Sequence, residues 1–107
     1  MTTPSSPNIL VLGASGLIGR FVTDDLRVRG FQVTGVARRF AASQQATSFD
    51  IERPILSMDM DALARLLQEQ KASVVVNCLG VLQDGPGGDT RAVHRDFVDR
   101  LLQAMAQ

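Results

Sequence analysis

The feature that most restricts this chain is a seven-residue run, Gly13-Ala14-Ser15-Gly16-Leu17-Ile18-Gly19, with glycines at its first, fourth and seventh positions. Ahead of it, Asn8-Ile9-Leu10-Val11-Leu12 is a short continuous apolar stretch with β-branched residues, as expected of a strand buried on both faces. Behind it, Leu17, Ile18, Phe21, Val22, Leu26 and Val28 recur at helical spacing, with charges at Arg20, Asp24, Asp25, Arg27 and Arg29 between them and Gly30 as a stop. Phe31-Gln32-Val33-Thr34-Gly35-Val36-Ala37 then reads as a second strand, closed by Arg38-Arg39. Strand, glycine turn, helix and strand in this order form a right-handed parallel unit. In such a unit the first glycine permits a turn that a side chain would obstruct. The second lets a diphosphate approach the backbone, and the third lets the helix pack closely on the sheet. The bare N–H groups of the helix's first turn and its dipole would favour an anion there. The bland alternative is a tight turn that binds nothing.

Beyond the opening unit the pattern weakens. Phe40 to Arg53 has no clean period and reads as a weak helix or loop. Pro54-Ile55-Leu56-Ser57-Met58 is the expected third strand, after which Asp59 or Asp61 opens a helix with Ala62, Leu63, Leu66 and Leu67 facing inward. Ser73-Val74-Val75-Val76-Asn77-Cys78-Leu79 is the clearest fourth strand. A loop rich in glycine and proline follows over residues 80–89, and from Thr90 a helix is expected to turn Val93, Phe97, Val98, Leu101, Leu102 and Met105 inward. The expectation is an α/β protein, a parallel sheet in the order 3-2-1-4 with helices on both faces. Residues 1–7 form a disordered lead-in and residues 8–107 a single partial domain.

Length and composition set limits. A chain of 107 residues supports one core but not a second domain. Eleven basic residues balance eleven acidic ones, so no overall field draws the chain to nucleic acid or an anionic membrane, and an anionic ligand must be captured locally. Cys78 is the only cysteine and His94 the only histidine, which excludes an internal disulfide and argues against a metal site. No apolar run approaches the roughly 20 residues that span a bilayer, and the polar N-terminus lacks the core of a signal peptide. The cytoplasm is the expected location.

The glycine run, together with Asn77-Cys78-Leu79-Gly80 after a valine-rich strand, resembles the short-chain dehydrogenase/reductase superfamily. The likeness is to its extended and atypical branches, the NAD-dependent epimerase/dehydratase-like and NmrA-like proteins, and runs from Asn8 to about Ala104. The resemblance implies a Rossmann-type NAD(P)-binding fold of which this chain holds the first half. It also implies a dinucleotide site at Gly13, Ala14, Ser15, Gly16, Leu17, Ile18 and Gly19. The family's acidic residue near the adenine maps onto Asp59, with Asp50 as a competing choice, and the stretch beside the cofactor maps onto Asn77, Leu79 and Gly80. At the end of the second strand, NAD-preferring Rossmann sites usually offer an acid to the ribose, whereas arginine accommodates the 2′-phosphate of NADP. Arg38 and Arg39 stand at that place, and the planar fork of arginine suits a phosphate. NADP is therefore the expected cofactor, with NAD as the alternative.

Each of these residues also has a plainer reading. Arg38 and Arg39 would serve equally as solvated charges, Asp59 as a helix cap, and Asn77 as a partner for buried backbone groups. Cys78, in an apolar strand, reads as an inert core thiol. His94 reads as a surface or cofactor-side residue, with no partner that would make it a base. The Tyr-x-x-x-Lys pair that does proton transfer in the superfamily has no counterpart, because the chain has no tyrosine and its only lysine is Lys71. No catalytic residue is carried over. The expected role is the cofactor-binding part of an NADP(H)- or NAD(H)-dependent oxidoreductase or epimerase; the alternative is a non-catalytic nucleotide-sensing or structural module. An apolar fourth strand left at the sheet edge calls for a cover, either self-association or a C-terminal part of a longer protein.

Overall fold

The computed structural model describes residues 7–40, 49–79 and 90–107. Four parallel strands form one sheet in the order β3-β2-β1-β4. They are β1 (Asn8–Leu12), β2 (Gln32–Ala37), β3 (Asp50–Glu52) and β4 (Val74–Asn77), joined and flanked by α1 (Leu17–Val28), α2 (Met60–Glu69) and α3 (Thr90–Met105). The expected α/β architecture and strand order are present, with α1 on one face of the sheet and α2 and α3 on the other.

The apolar β1 explains why the sheet takes a layer on each side. Successive side chains point to opposite faces, so Ile9 and Val11 join Ala14, Val33, Val22 and Leu26 beneath α1. Leu10 and Leu12 join Val36, Leu63, Leu66, Phe97, Leu101 and Ala104 beneath α2 and α3. β1 pairs with β2 from Asn8↔Gln32 to Leu12↔Val36 and with β4 from Ile9↔Val74 to Leu12↔Asn77.

Three expectations are corrected. The third strand is Asp50–Glu52, inside the segment read as weak helix or loop, and not Pro54–Met58. Its ladder runs from Gly35↔Asp50 to Ala37↔Glu52 and closes with the Arg53 amide donating to the Ala37 carbonyl. Pro54 has no N–H to continue it, so the chain turns into a short 3-10 helix, Ile55–Ser57, that tucks Ile55 into the core. A three-residue strand is too short to show a period.

The inner face of α1 also differs. The helix rests on Gly19, Val22, Thr23 and Leu26, while Leu17, Ile18, Phe21 and Val28 are exposed. The contact is made through small residues because the helix lies close to the sheet. A Cβ at Gly19 would collide with the carbonyl of Gly13 and approach the Ala14 Cα at 3.0 Å. Thr23, buried in this contact, donates its hydroxyl to the Gly19 carbonyl at 2.7 Å. In α3, Phe97, Leu101 and Ala104 are buried, whereas Val93, Val98, Leu102 and Met105 of the expected inner face are exposed.

The lead-in over residues 1–6, most of the weak segment (residues 41–48) and the loop over residues 80–89 lie outside the described residues. Among the described residues no helix is long and apolar enough to cross a membrane.

Candidate functional site

At the carboxyl ends of the strands the chain opens a cleft of about 440 Å³, within the range of small-ligand sites. Its lining follows the sheet. Cys78 and Leu79 leave β4; Gly13, Ser15 and Gly16 leave β1; Ala37, Arg38 and Arg39 leave β2; and Pro54 to Ser57 follow β3. This is the edge at which open α/β sheets bind ligands.

The turn after β1 is fixed from two sides. The amides of Gly13 and Ala14 both donate to the Val36 carbonyl, at 2.8 and 3.0 Å, and the Gly16 amide donates to the Gly13 carbonyl at 3.1 Å. Gly13 sits at φ +79°, in left-handed backbone, and a Cβ there would lie 2.9 Å from the backbone of Cys78 and Leu79. Gly13 and Gly19 are thus required by the chain's own packing. Gly16 is different. As the N-cap of α1 it has φ −76° and ψ 170°, open to any residue, and an added Cβ would meet only the Gly13 carbonyl at an ordinary 3.5 Å. Nothing in the described protein needs a glycine there.

Gly16 also leaves the helix without a cap side chain. The first-turn amides from Leu17 to Gly19 have no acceptor among the described residues, the state in which a helix start attracts an anion. Leu17 and Ile18 turn their side chains to solvent and offer only backbone, while Ala14 and Gly19 are buried below the turn. Arg38 and Arg39 are exposed at the rim, and neither has an acidic partner among the described residues. The nearby carboxylate of Glu52 accepts from the Phe40 amide at 2.9 Å.

Other expected residues fall elsewhere. Asp59 is the N-cap of α2, its Oδ1 accepting from the Ala62 amide at 2.8 Å. Asp50 is held under the sheet, its Oδ1 2.9 Å from Nη2 of Arg27 and its side chain only 6% exposed. Neither carboxylate lines the cleft. Asn77 is exposed and its Oδ1 accepts from the Leu79 amide at 3.0 Å, ending β4. Gly80 lies outside the described residues. Burial pushes the Cys78 thiol above its ordinary value of 9.0, so it stays protonated at neutral pH. His94 is half-exposed on α3, away from the lining. The sequence reading missed Ala37, Cys78 and the Pro54–Ser57 wall as lining residues. The wall was read as strand, and its place just beyond a strand was the signal available.

The NAD dependent epimerase/dehydratase family model matches residues 9–106. The chain belongs to that family. A comparison with curated proteins found no match. Among solved structures, this epimerase/dehydratase family chain is similar to the Bordetella bronchiseptica enzyme WbmG in complex with NAD, at 17% identity and TM-score 0.72, covering 95% of this chain and 34% of that one. It is similar to UDP-N-acetylglucosamine 4-epimerase from Bacillus cereus at 18% identity and TM-score 0.66, covering 92% and 32%. A short-chain dehydrogenase/reductase superfamily protein from Agrobacterium tumefaciens with bound NAD matches at 28% identity and TM-score 0.66, covering 91% and 28%. The chain therefore spans about a third of the length of these structures. Its fold is that of NAD-binding oxidoreductases and epimerases.

Proposed function

We propose that the chain binds a nicotinamide dinucleotide across this cleft, with NADP(H) preferred over NAD(H), as the cofactor-binding part of an oxidoreductase or epimerase. The observation that carries the reading is Gly16. Its backbone geometry and surroundings tolerate a side chain, so its bareness serves something that approaches from outside, at the point where first-turn amides lack acceptors. A diphosphate meets both conditions. The cleft's residues fit the rest of the ligand. Arg38 and Arg39 can take a 2′-phosphate as bidentate donors, and the Pro54–Ser57 wall offers a surface for the base. Leu79, in the lining, and Asn77 just before it at the end of β4 fall to the nicotinamide half. The NAD held by WbmG and by the Agrobacterium protein supports a dinucleotide in this fold.

When bound, the nicotinamide supplies hydride transfer. The chain's own residues bind and orient it, and Cys78, protonated and half-buried, contributes a neutral wall. With no tyrosine in the sequence, the proton-transfer group of such a reaction is assigned to residues outside these 107. The same absence supports a second reading, a nucleotide-sensing or structural module without turnover. Substrate-dependent NADPH oxidation by the complete protein separates the two.

The test of binding is Gly16→Val. Valine suits the extended backbone at this position but is a poorer N-cap than glycine, so the variant should fold with its melting temperature lowered by no more than roughly 4–8 °C. It should bind NADPH at least about tenfold more weakly by titration calorimetry. Undiminished affinity in a folded variant would remove the dinucleotide from this turn.

A further inference from the structure

Arg100, on α3, grips backbone more than forty residues away in sequence. Its Nε donates to the Met58 carbonyl at 3.1 Å and its Nη2 to the Leu56 carbonyl at 2.7 Å. Its guanidinium carbon lies 5.9 Å from the centre of the Phe97 ring, which is fully buried. The segment it holds is the wall of the cleft after β3. That wall's own bonds are those of a short 3-10 turn: the Ser57 amide and hydroxyl each donate to the Pro54 carbonyl at 3.0 Å, the Met58 amide to the Ile55 carbonyl at 3.2 Å, and the Ile55 amide to the Arg53 carbonyl at 2.9 Å. Pro54 has cut it off from the sheet ladder, and such turns are weakly self-supporting. Its apolar side chains hold it from within, Ile55 inserted in the core and Leu56 and Met58 packed against it, and from outside Arg100 takes two of its carbonyls in one planar fork.

We infer that Arg100 is a positioning residue for the cleft: by holding the Leu56 and Met58 carbonyls it sets the Pro54–Ser57 wall where the adenosine half of the dinucleotide must lie. This rests on the dinucleotide reading above. The diphosphate at Gly16 and the 2′-phosphate at Arg38 and Arg39 leave that wall as the surface for the base. Affinity for the adenosine half then depends on a side chain that does not line the cleft, and displacement of α3 is felt as a change in nucleotide affinity.

The experiment compares the parent chain with Arg100→Met, Arg100→Lys and Leu101→Ala, titrating each with NADPH and with 2′,5′-ADP, and following amide exchange at Ser57 and Met58. Arg100→Met should weaken both ligands by the same factor, about tenfold, because two charge-assisted hydrogen bonds to the wall are lost. It should also speed exchange at Ser57 and Met58. Arg100→Lys should recover part of the loss, since an ammonium can reach one carbonyl, and it decides the matter should the methionine variant fail to fold. Leu101→Ala empties core space on the same helix but keeps the guanidinium, so it should lower the melting temperature while both affinities stay within about twofold. Unchanged 2′,5′-ADP affinity in the folded Arg100 variants, or an equal loss in Leu101→Ala, overturns the positioning role. A parent chain that binds neither ligand overturns the dinucleotide reading itself.

Discussion

Arg38 and Arg39 are two adjacent cations with no acidic partner among the described residues, at the exit of the strand that would face a ribose. If they hold a 2′-phosphate, the chain should bind NADPH more tightly than NADH. The double variant Arg38→Ala/Arg39→Ala should lose about tenfold or more of that preference, the scale of one charge-assisted contact. Equal dissociation constants for the two cofactors in the parent chain would return both arginines to the status of solvated charges. Cys78 makes a separate prediction. Burial raises its thiol above the ordinary value, so alkylation by iodoacetamide at pH 8 should be slower than for an unhindered model thiol, and its rate should still climb with pH where that of the model thiol has levelled off. The stability linkage has a definite sign. The neutral thiol favoured by the fold stabilises it below the ordinary value, and that contribution is lost as pH rises through the folded one. Rapid labelling at pH 7 would mark Cys78 as activated and contradict the inert reading. The glycine run shows how far single residues can be read from sequence. Gly13 and Gly19 have the turning and packing roles assigned to them, whereas the openness around Gly16 emerged only once its neighbours were in place.

Among the elements, α2 shows a cap doing the work of a boundary signal. Asp59 precedes the first helical residue, Met60, and accepts from Ala62, as the sequence pattern suggested. Asp59→Ala should cost about 1 kcal/mol, a fall in melting temperature of roughly 4–8 °C for a domain of this size. Asp59→Asn, which keeps a capping oxygen, should cost much less. An alanine variant as stable as the parent would mean that α2 is held by packing alone. The strand after β2 was the least legible element. Three residues carry no periodicity, Asp50 is spent on the ion pair with Arg27, and Pro54 ends the ladder just where an apolar pair, Ile55-Leu56, imitates a strand. The apolar residues of α1 misled for another reason. A helix that approaches the sheet through Gly19 and Thr23 cannot also present Phe21 and Leu17 to it.

On the scale of the molecule, the sheet has two edges. Among the described residues, β4 at one of them pairs only with β1 and leaves Val74 42% exposed. Leu17, Ile18, Phe21 and Val28 on α1, with Leu102 and Met105 on α3, add apolar surface on both faces of the layer. An uncovered edge beside such surface favours association. The purified 107-residue chain should therefore sediment as more than a monomer, and a clean monomer in analytical ultracentrifugation would show that this surface is tolerated in water. The sequence by itself determined the class of fold and the place of the turn, because an apolar strand, glycines at fixed offsets and an amphipathic helix are local signals carried by consecutive residues. The tertiary structure alone decided which strand stands third, which face of α1 is buried, that Asp50 and Asp59 are occupied within the fold, and that Arg100 reaches the cleft wall from α3. Those outcomes depend on distance between residues far apart in the chain, and no local pattern encodes that.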